Sequence, residues 1–290
     1  GRVWRWGFGL DVRDLDFDLE ARGLGFSDGR PADPATLSVR GSALARADGV
    51  TVQPFLVLTS EGRRWTTSRY VLNYGAVEDL NLEPTLQVLV GPTGPAFGST
   101  AGDGNRLQGS LGVRDWSRLG AGFLLLEGEL EGVIGREEES ELQALARAGW
   151  LGRHGSERWP WLTRIFVEGG YGSRILGTDA FVLGLNRGLR TLEFDGMAGD
   201  RLLRWNVEQG LLSPLEPLGL YRTGLAVFYG GGLAWWDGED RNLGDARHEV
   251  GCGLRFGAIR SARGEVARLD LTWSLDGGGP VVTAVTHGLF

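Results

Sequence analysis

The sequence predicts an all-β protein, an antiparallel transmembrane β-barrel, and three observations carry that prediction. The first is two-residue alternation. In Arg268-Leu269-Asp270-Leu271-Thr272-Trp273 the polar side chains fall on one face of an extended chain and Leu269, Leu271 and Trp273 on the other, because successive side chains of a strand point to opposite sides. A soluble sandwich alternates too, but here the apolar face is broad, aromatic and repeated through strand after strand to the final Phe290. The second is composition: 49 glycines and 11 tryptophans in 290 residues. Glycine suits tight turns and a crowded barrel interior, and tryptophan favours the membrane interface, where one end is apolar and the other hydrogen-bonds. The third is a missing pattern. No apolar run approaches the ~20 residues of a spanning helix, whereas a barrel strand needs only ~9–11.

Taken in order, the first segment sets Trp4, Trp6, Phe8 and Leu10 on one face, with Arg5, Gly7 and Gly9 opposite. After a short polar turn, Leu15, Phe17, Leu19 and Ala21 alternate with Asp16, Asp18, Glu20 and Arg22. So charged a face cannot meet hydrocarbon but can line water. Further strands are predicted at 35–48, 51–60, 64–77, 83–91, 105–116 and 122–135, with loop chemistry in Gly91-Pro92-Thr93-Gly94-Pro95 and Gly102-Asp103-Gly104. In 122–135, Leu124, Leu126, Leu130 and Ile134 share one face and Glu127, Glu129 and Glu131 the other. Such a row of acids reads as a solvated or arginine-paired lining rather than a metal or catalytic site. Arg136-Glu137-Glu138-Glu139-Ser140 is a polar turn, and 141–152 fits either a strand or a short helix. Strands follow at 161–173, 201–212, 219–235, 249–259, 266–275 and 280–290. Fifteen or sixteen segments result, and the even count of bacterial barrels favours 16 strands over 14. Residues 1–290 form one barrel domain, with no linker or low-complexity tract.

Charge and motifs narrow the function. All 30 basic residues are arginine, a side chain that stays ionised and forks onto carboxylates, as an ion-paired lumen requires. A net charge of −7 argues against nucleic acid as a partner. Cys252 stands alone, so no intrachain disulfide forms. His154, His248 and His287 lack metal-ligand spacing, no Gly-x-Ser-x-Gly elbow occurs, and Gly230-Gly231-Gly232 and Gly277-Gly278-Gly279 lack the lysine and helix of a phosphate loop. No catalytic, cofactor or metal site is predicted.

Gly184-Leu185-Asn186-Arg187-Gly188-Leu189-Arg190-Thr191-Leu192-Glu193-Phe194 precedes Gly199-Asp200-Arg201 and Asn206-Val207-Glu208. Ala226-Val227-Phe228-Tyr229-Gly230-Gly231-Gly232, Gly251-Cys252-Gly253-Leu254-Arg255-Phe256-Gly257, Arg268-Leu269-Asp270 and the terminal Phe290 continue the series. In order and spacing these resemble the BamA/TamA superfamily of outer-membrane barrels, the bacterial surface-antigen family, most clearly over 160–290. In that family the sixth extracellular loop folds into the lumen and carries a hydrophobic-Arg-Gly-aromatic motif held by lumen acids. The resemblance implies an inward loop at about 184–200 with Leu189, Arg190 and Phe194 as its motif, and Glu208 and Asp270 as acid partners of Arg190. Departures accompany it: Thr191 replaces the loop glycine, Leu192 the following aromatic, Gly230 an acid and Gly210 an arginine. The family usually carries periplasmic POTRA modules before the barrel. Nothing in residues 1–30 looks like one, which implies removal of the modules or a barrel-only member.

The resemblance implies a bacterial outer-membrane location, lipid as surroundings, and assembly, insertion or translocation of client proteins. Such a barrel would have a labile seam between the first and last strands, with Trp4, Trp6 and Phe8 on one side and Pro280, Gly288 and Phe290 on the other. Pro280 removes a ladder donor and Gly288 weakens the strand end. The alternatives are a barrel that anchors periplasmic or surface subunits, or a passive channel.

Overall fold

The computed structural model describes residues 1–15, 49–71, 77–100, 104–135, 140–175, 180–185, 188–192, 196–259 and 266–285. The described chain is all-β and antiparallel. Its strands are β1 (Val3–Leu15), β2 (Gly49–Glu61), β3 (Trp65–Arg69), β4 (Val77–Asn81), β5 (Thr85–Thr93), β6 (Arg106–Leu119), β7 (Gly122–Ile134) and β8 (Glu141–Gly155). They continue as β9 (Pro160–Ser173), β10 (Phe181–Leu183), β11 (Met197–Gly199), β12 (Arg201–Leu212), β13 (Tyr221–Trp235), β14 (Arg247–Ala258), β15 (Val266–Ser274) and β16 (Val281–Val285).

Twelve of the sixteen form one meander in the order β1-β2-β5-β6-β7-β8-β9-β12-β13-β14-β15-β16, while β3–β4 and β10–β11 are separate two-stranded ribbons. The expected sixteen strands of a single wall therefore divide into a twelve-stranded sheet and two ribbons. β1 and β16 are its edges.

Several local expectations are corrected. β1 runs unbroken through Asp11-Val12-Arg13-Asp14, each paired across to Val50–Gln53, so the turn expected before Leu15 is absent. A paired neighbour along the full strand outweighs the local polarity of four residues. The segment expected as one strand over 64–77 is instead β3, a reversal beginning at Tyr70 (φ +66°), and β4. Gly91-Pro92-Thr93 belongs to β5, with Pro92 opposite Leu107, rather than to a loop. The open choice at 141–152 resolves to strand, because β8 is flanked by β7 and β9 over its length. The predicted strand at 35–48, and Phe17, Phe194, Gly288 and Phe290, lie outside the described residues.

Register makes the alternation continuous from strand to strand. On one face run the rows Trp6–Leu58–Val88–Leu111–Leu130–Ala144–Tyr171 and Trp150–Ile165–Val207–Tyr229–Val250–Trp273, each neighbour directly opposite the next. This face is uncovered: Trp6 is 78% and Phe8 80% exposed, and Leu225, Val227 and Val282 are also exposed. Monomeric soluble proteins rarely leave so extended an apolar surface open to water. The opposite face carries the arginines and acids and is covered by both ribbons. The sheet curls around them: Tyr70, beside β3, packs with Leu162 of β9, Leu212 of β12 and Val266 of β15.

Candidate functional site

The connection from β9 to β12 turns back onto the polar face instead of extending past the strand ends. The short β10–β11 ribbon anchors it, and Phe181, Leu183, Leu189 and Met197 pack with Leu202, Leu233, Ala234 and Ala246. Burying these apolar groups supplies the drive for the inward course. Gly188 allows the final approach. Its φ is +108°, and a Cβ there would lie 2.9 Å from Nη1 of Arg204, so a side chain would strain the backbone and displace the guanidinium.

Two residues on, Arg190 enters a charged network. Its Nη1 donates to Oε1 of Glu249 at 2.8 Å and its Nε to Oδ2 of Asp270 at 2.9 Å. The other Glu249 oxygen accepts from the backbone N–H of Arg190 at 2.7 Å, from that of Thr191 at 3.1 Å, and from the Thr191 hydroxyl at 3.3 Å. The guanidinium also lies 4.0 Å from the ring centroid of Phe228, a cation–π contact. One carboxylate thus fixes both the side chain and the local backbone of the loop.

The network continues below Arg190. Asp270 also accepts from Arg255, Arg255 donates to Glu208 at 2.6 Å, and Arg164 donates to the other Glu208 oxygen at 3.2 Å. All but Arg190 are buried, and the Arg190 side chain is 11% exposed. Along this run of contacts three arginines alternate with three acids. That pairing is needed, since a buried guanidinium without a carboxylate is strongly destabilising.

A second ionic row crosses the same face. Arg114, Glu127, Arg147, Glu168 and Arg204 stand directly opposite one another on β6, β7, β8, β9 and β12. Their contacts are Arg114–Glu127 at 2.6 Å, Arg147–Glu127 at 2.9 Å, Arg147–Glu168, and Arg204–Glu168 at 2.6 Å. Cross-strand pairing of opposite charges stabilises adjacent strands. Here it also lays down the surface on which Gly188 rests.

Of the residues singled out from sequence, Leu189, Arg190 and Asp270 come together. Glu208 lies one guanidinium further along, reached from Arg190 through Asp270 and Arg255. Trp4, Trp6 and Phe8 lie on edge strand β1, and Pro280 immediately precedes edge strand β16. Sequence reasoning missed Glu249, the acid with the most contacts to the loop. Its signal was Gly230, where an acid was expected: Glu249 is directly opposite Gly230 across the β13–β14 ladder. A Cβ at Gly230 would sit 3.4 Å from Cγ of Glu249, so the acid expected on β13 is supplied at the same place by the neighbouring strand.

No family model matches the chain, and no curated protein matches it.

Proposed function

We propose that the chain is an outer-membrane β-barrel similar to the BamA/TamA superfamily, acting in assembly, insertion or translocation of proteins at the bacterial outer membrane. The observation that carries this reading is an inward loop whose arginine is gripped by two lumen acids beneath a continuous apolar exterior. In this reading the twelve-stranded sheet would close by bringing β1 against β16, with lipid around it and the charged rows inside. An even strand number and long loops at one end suit a bacterial barrel.

The height of the apolar band supports a bilayer. On β9, Trp161 and Tyr171 bracket Ile165 and Val167, all exposed. Ten residues at ~3.3 Å, tilted by about 40°, rise roughly 25 Å, the height of an outer-membrane barrel's apolar band. Aromatic residues gather near both limits, with Trp4, Trp6 and Trp161 toward one and Tyr171, Trp205 and Trp273 toward the other. Interfacial belts place Trp and Tyr in this way.

The altered loop motif would favour a non-translocating anchor if it had lost its grip on Arg190. Glu249 compensates for Gly230, which favours a retained function. Among the described residues β1 offers thirteen residues of backbone, and β16 pairs with β15 over five. An edge strand such as β1 presents donors and acceptors to which a client strand can add.

Native pull-down from outer membranes, with Arg190→Ala in parallel, tests the function. Unfolded barrel proteins or a secreted substrate captured by the natural chain and lost from the variant are expected. A fixed set of folded partners retained by both would make the protein an anchor.

A further inference from the structure

We propose that the β3–β4 ribbon is a stopper, sealing the barrel interior at the end opposite the arginine loop; the inference rests on the barrel reading above. The ribbon lies in the connection from β2 to β5, residues 62–84, at the end where β1 begins and β16 finishes. Other connections at this end are shorter: Gly120-Ala121 joins β6 to β7, 156–159 joins β8 to β9, 213–220 joins β12 to β13 and 259–265 joins β14 to β15. A connection long enough to form its own strands calls for a reason.

Its contacts supply one. Thr66 accepts from Arg118 of β6 at 2.6 Å. Val71 and Leu80 pack with Trp116, Leu125, Leu151 and Phe166, on β6, β7, β8 and β9. The Val71 carbonyl accepts from Arg164 of β9 at 3.3 Å. Tyr70 packs with Leu162, Leu212 and Val266, and its hydroxyl accepts from Arg222 of β13. The guanidinium carbons of Arg153 and Arg222 lie 5.3 and 5.2 Å from its ring centroid. Seven strands of the sheet therefore meet one short ribbon. A surface flap would touch the one or two strands beside its root.

The backbone agrees. Tyr70 has φ +66°, a left-handed conformation that a bulky residue holds only where its surroundings over-determine it. Buried apolar side chains and arginine hydrogen bonds hold the ribbon against the sheet, and such packing obstructs a continuous path for water. At the other end the loop packs Phe181, Leu183 and Leu189 against β12 and β13. Beside the loop an open pocket of about 400 Å³ remains, lined by Glu129, Gln143, Arg147, Glu168 and Arg204 together with Phe181 and Val182. The ribbon and the arginine loop thus pack in separate apolar clusters toward opposite ends of the charged face, linked through the chain of ion pairs from Arg164 to Arg190.

The test is single-channel recording with the 290-residue chain in planar bilayers, supported by protease protection in vesicles. Three forms are compared: the natural chain, one with 184–196 replaced by a short Gly-Ser linker, and one that also has 65–81 replaced. The first two are expected to show no steady conductance and the third a steady open level. In the loop-deleted background, Tyr70→Ala with Arg222→Ala provides a milder variant, expected to show brief openings absent from its parent. Steady conductance from the loop-deleted chain equal to that of the double deletion would overturn the proposal. So would silence from both the double deletion and the milder variant while each remains inserted. Failure of the natural chain to insert at all would instead count against the barrel reading.

Discussion

Replacing Glu249 with alanine is the sharpest perturbation of the loop. The carboxylate accepts four hydrogen bonds, from the Arg190 guanidinium, two backbone N–H groups and the Thr191 hydroxyl. Breaking a buried ion pair from one side costs about 3–5 kcal/mol. Asp270 keeps its bond to Nε of Arg190, so the lower figure of about 3 kcal/mol applies. At tenfold per ~1.4 kcal/mol the population of undocked loop rises roughly 100-fold. The loop contains Arg187 and Arg190, both sites for trypsin. When opening and closing are fast relative to cleavage, the cut rate tracks the open population. Limited trypsin digestion of the refolded protein in detergent, read by mass at the new termini, should therefore show Glu249→Ala cut roughly 100-fold faster than the natural chain, at low protease. Adding Gly230→Asp restores a carboxylate on the facing strand and should return most of the protection. Equal cleavage of Glu249→Ala and the natural chain would refute the loop-holding role, and failure of the second change to rescue would refute the exchange of acids between strands.

Other consequences follow from the same geometry. Glu208→Gln strips the acid shared by Arg164 and Arg255, so thermal unfolding should report a loss of about 3–5 kcal/mol, with loop cleavage changed far less than by Glu249→Ala. Gly188→Ala asks an L residue for a positive φ beside Arg204, and about 1–2 kcal/mol of loop docking should be lost, again read by trypsin. Leu130→Arg puts a charge in the middle of the apolar exterior. Equilibrium folding into lipid vesicles should lose about 2–4 kcal/mol, while the same change at Glu129, on the other face, should cost much less.

The alternation that exposed the fold is a local property, because each residue's face is set by its immediate neighbours in the strand. Leu124, Leu126 and Leu130 against Glu127 and Glu129 could accordingly be read without any knowledge of pairing. The register of Gly230 with Glu249 is not local, and without it Glu208 looked as good a partner for Arg190 as any other acid. Arg164 and Arg255 were hidden for the same reason: their acids come from other strands. The ribbon at Trp65–Asn81 has the β-branched and aromatic content of an ordinary strand, and only contacts from seven distant strands draw it out of the wall. Leu15 continued β1 where local polarity suggested a turn, since β2 supplied a partner along the whole edge.

The central claim is that one face of this sheet meets lipid and the other does not. Spin labels placed singly from Leu124 to Val133 on β7, in a Cys252→Ser background in vesicles, test it most directly. Accessibility to oxygen should peak at Leu124, Leu126, Gly128 and Leu130 and fall at Glu127, Glu129 and Glu131, with the aqueous nickel reagent failing to reach the first set. Equal access of the aqueous reagent to both sets would contradict a membrane-spanning barrel.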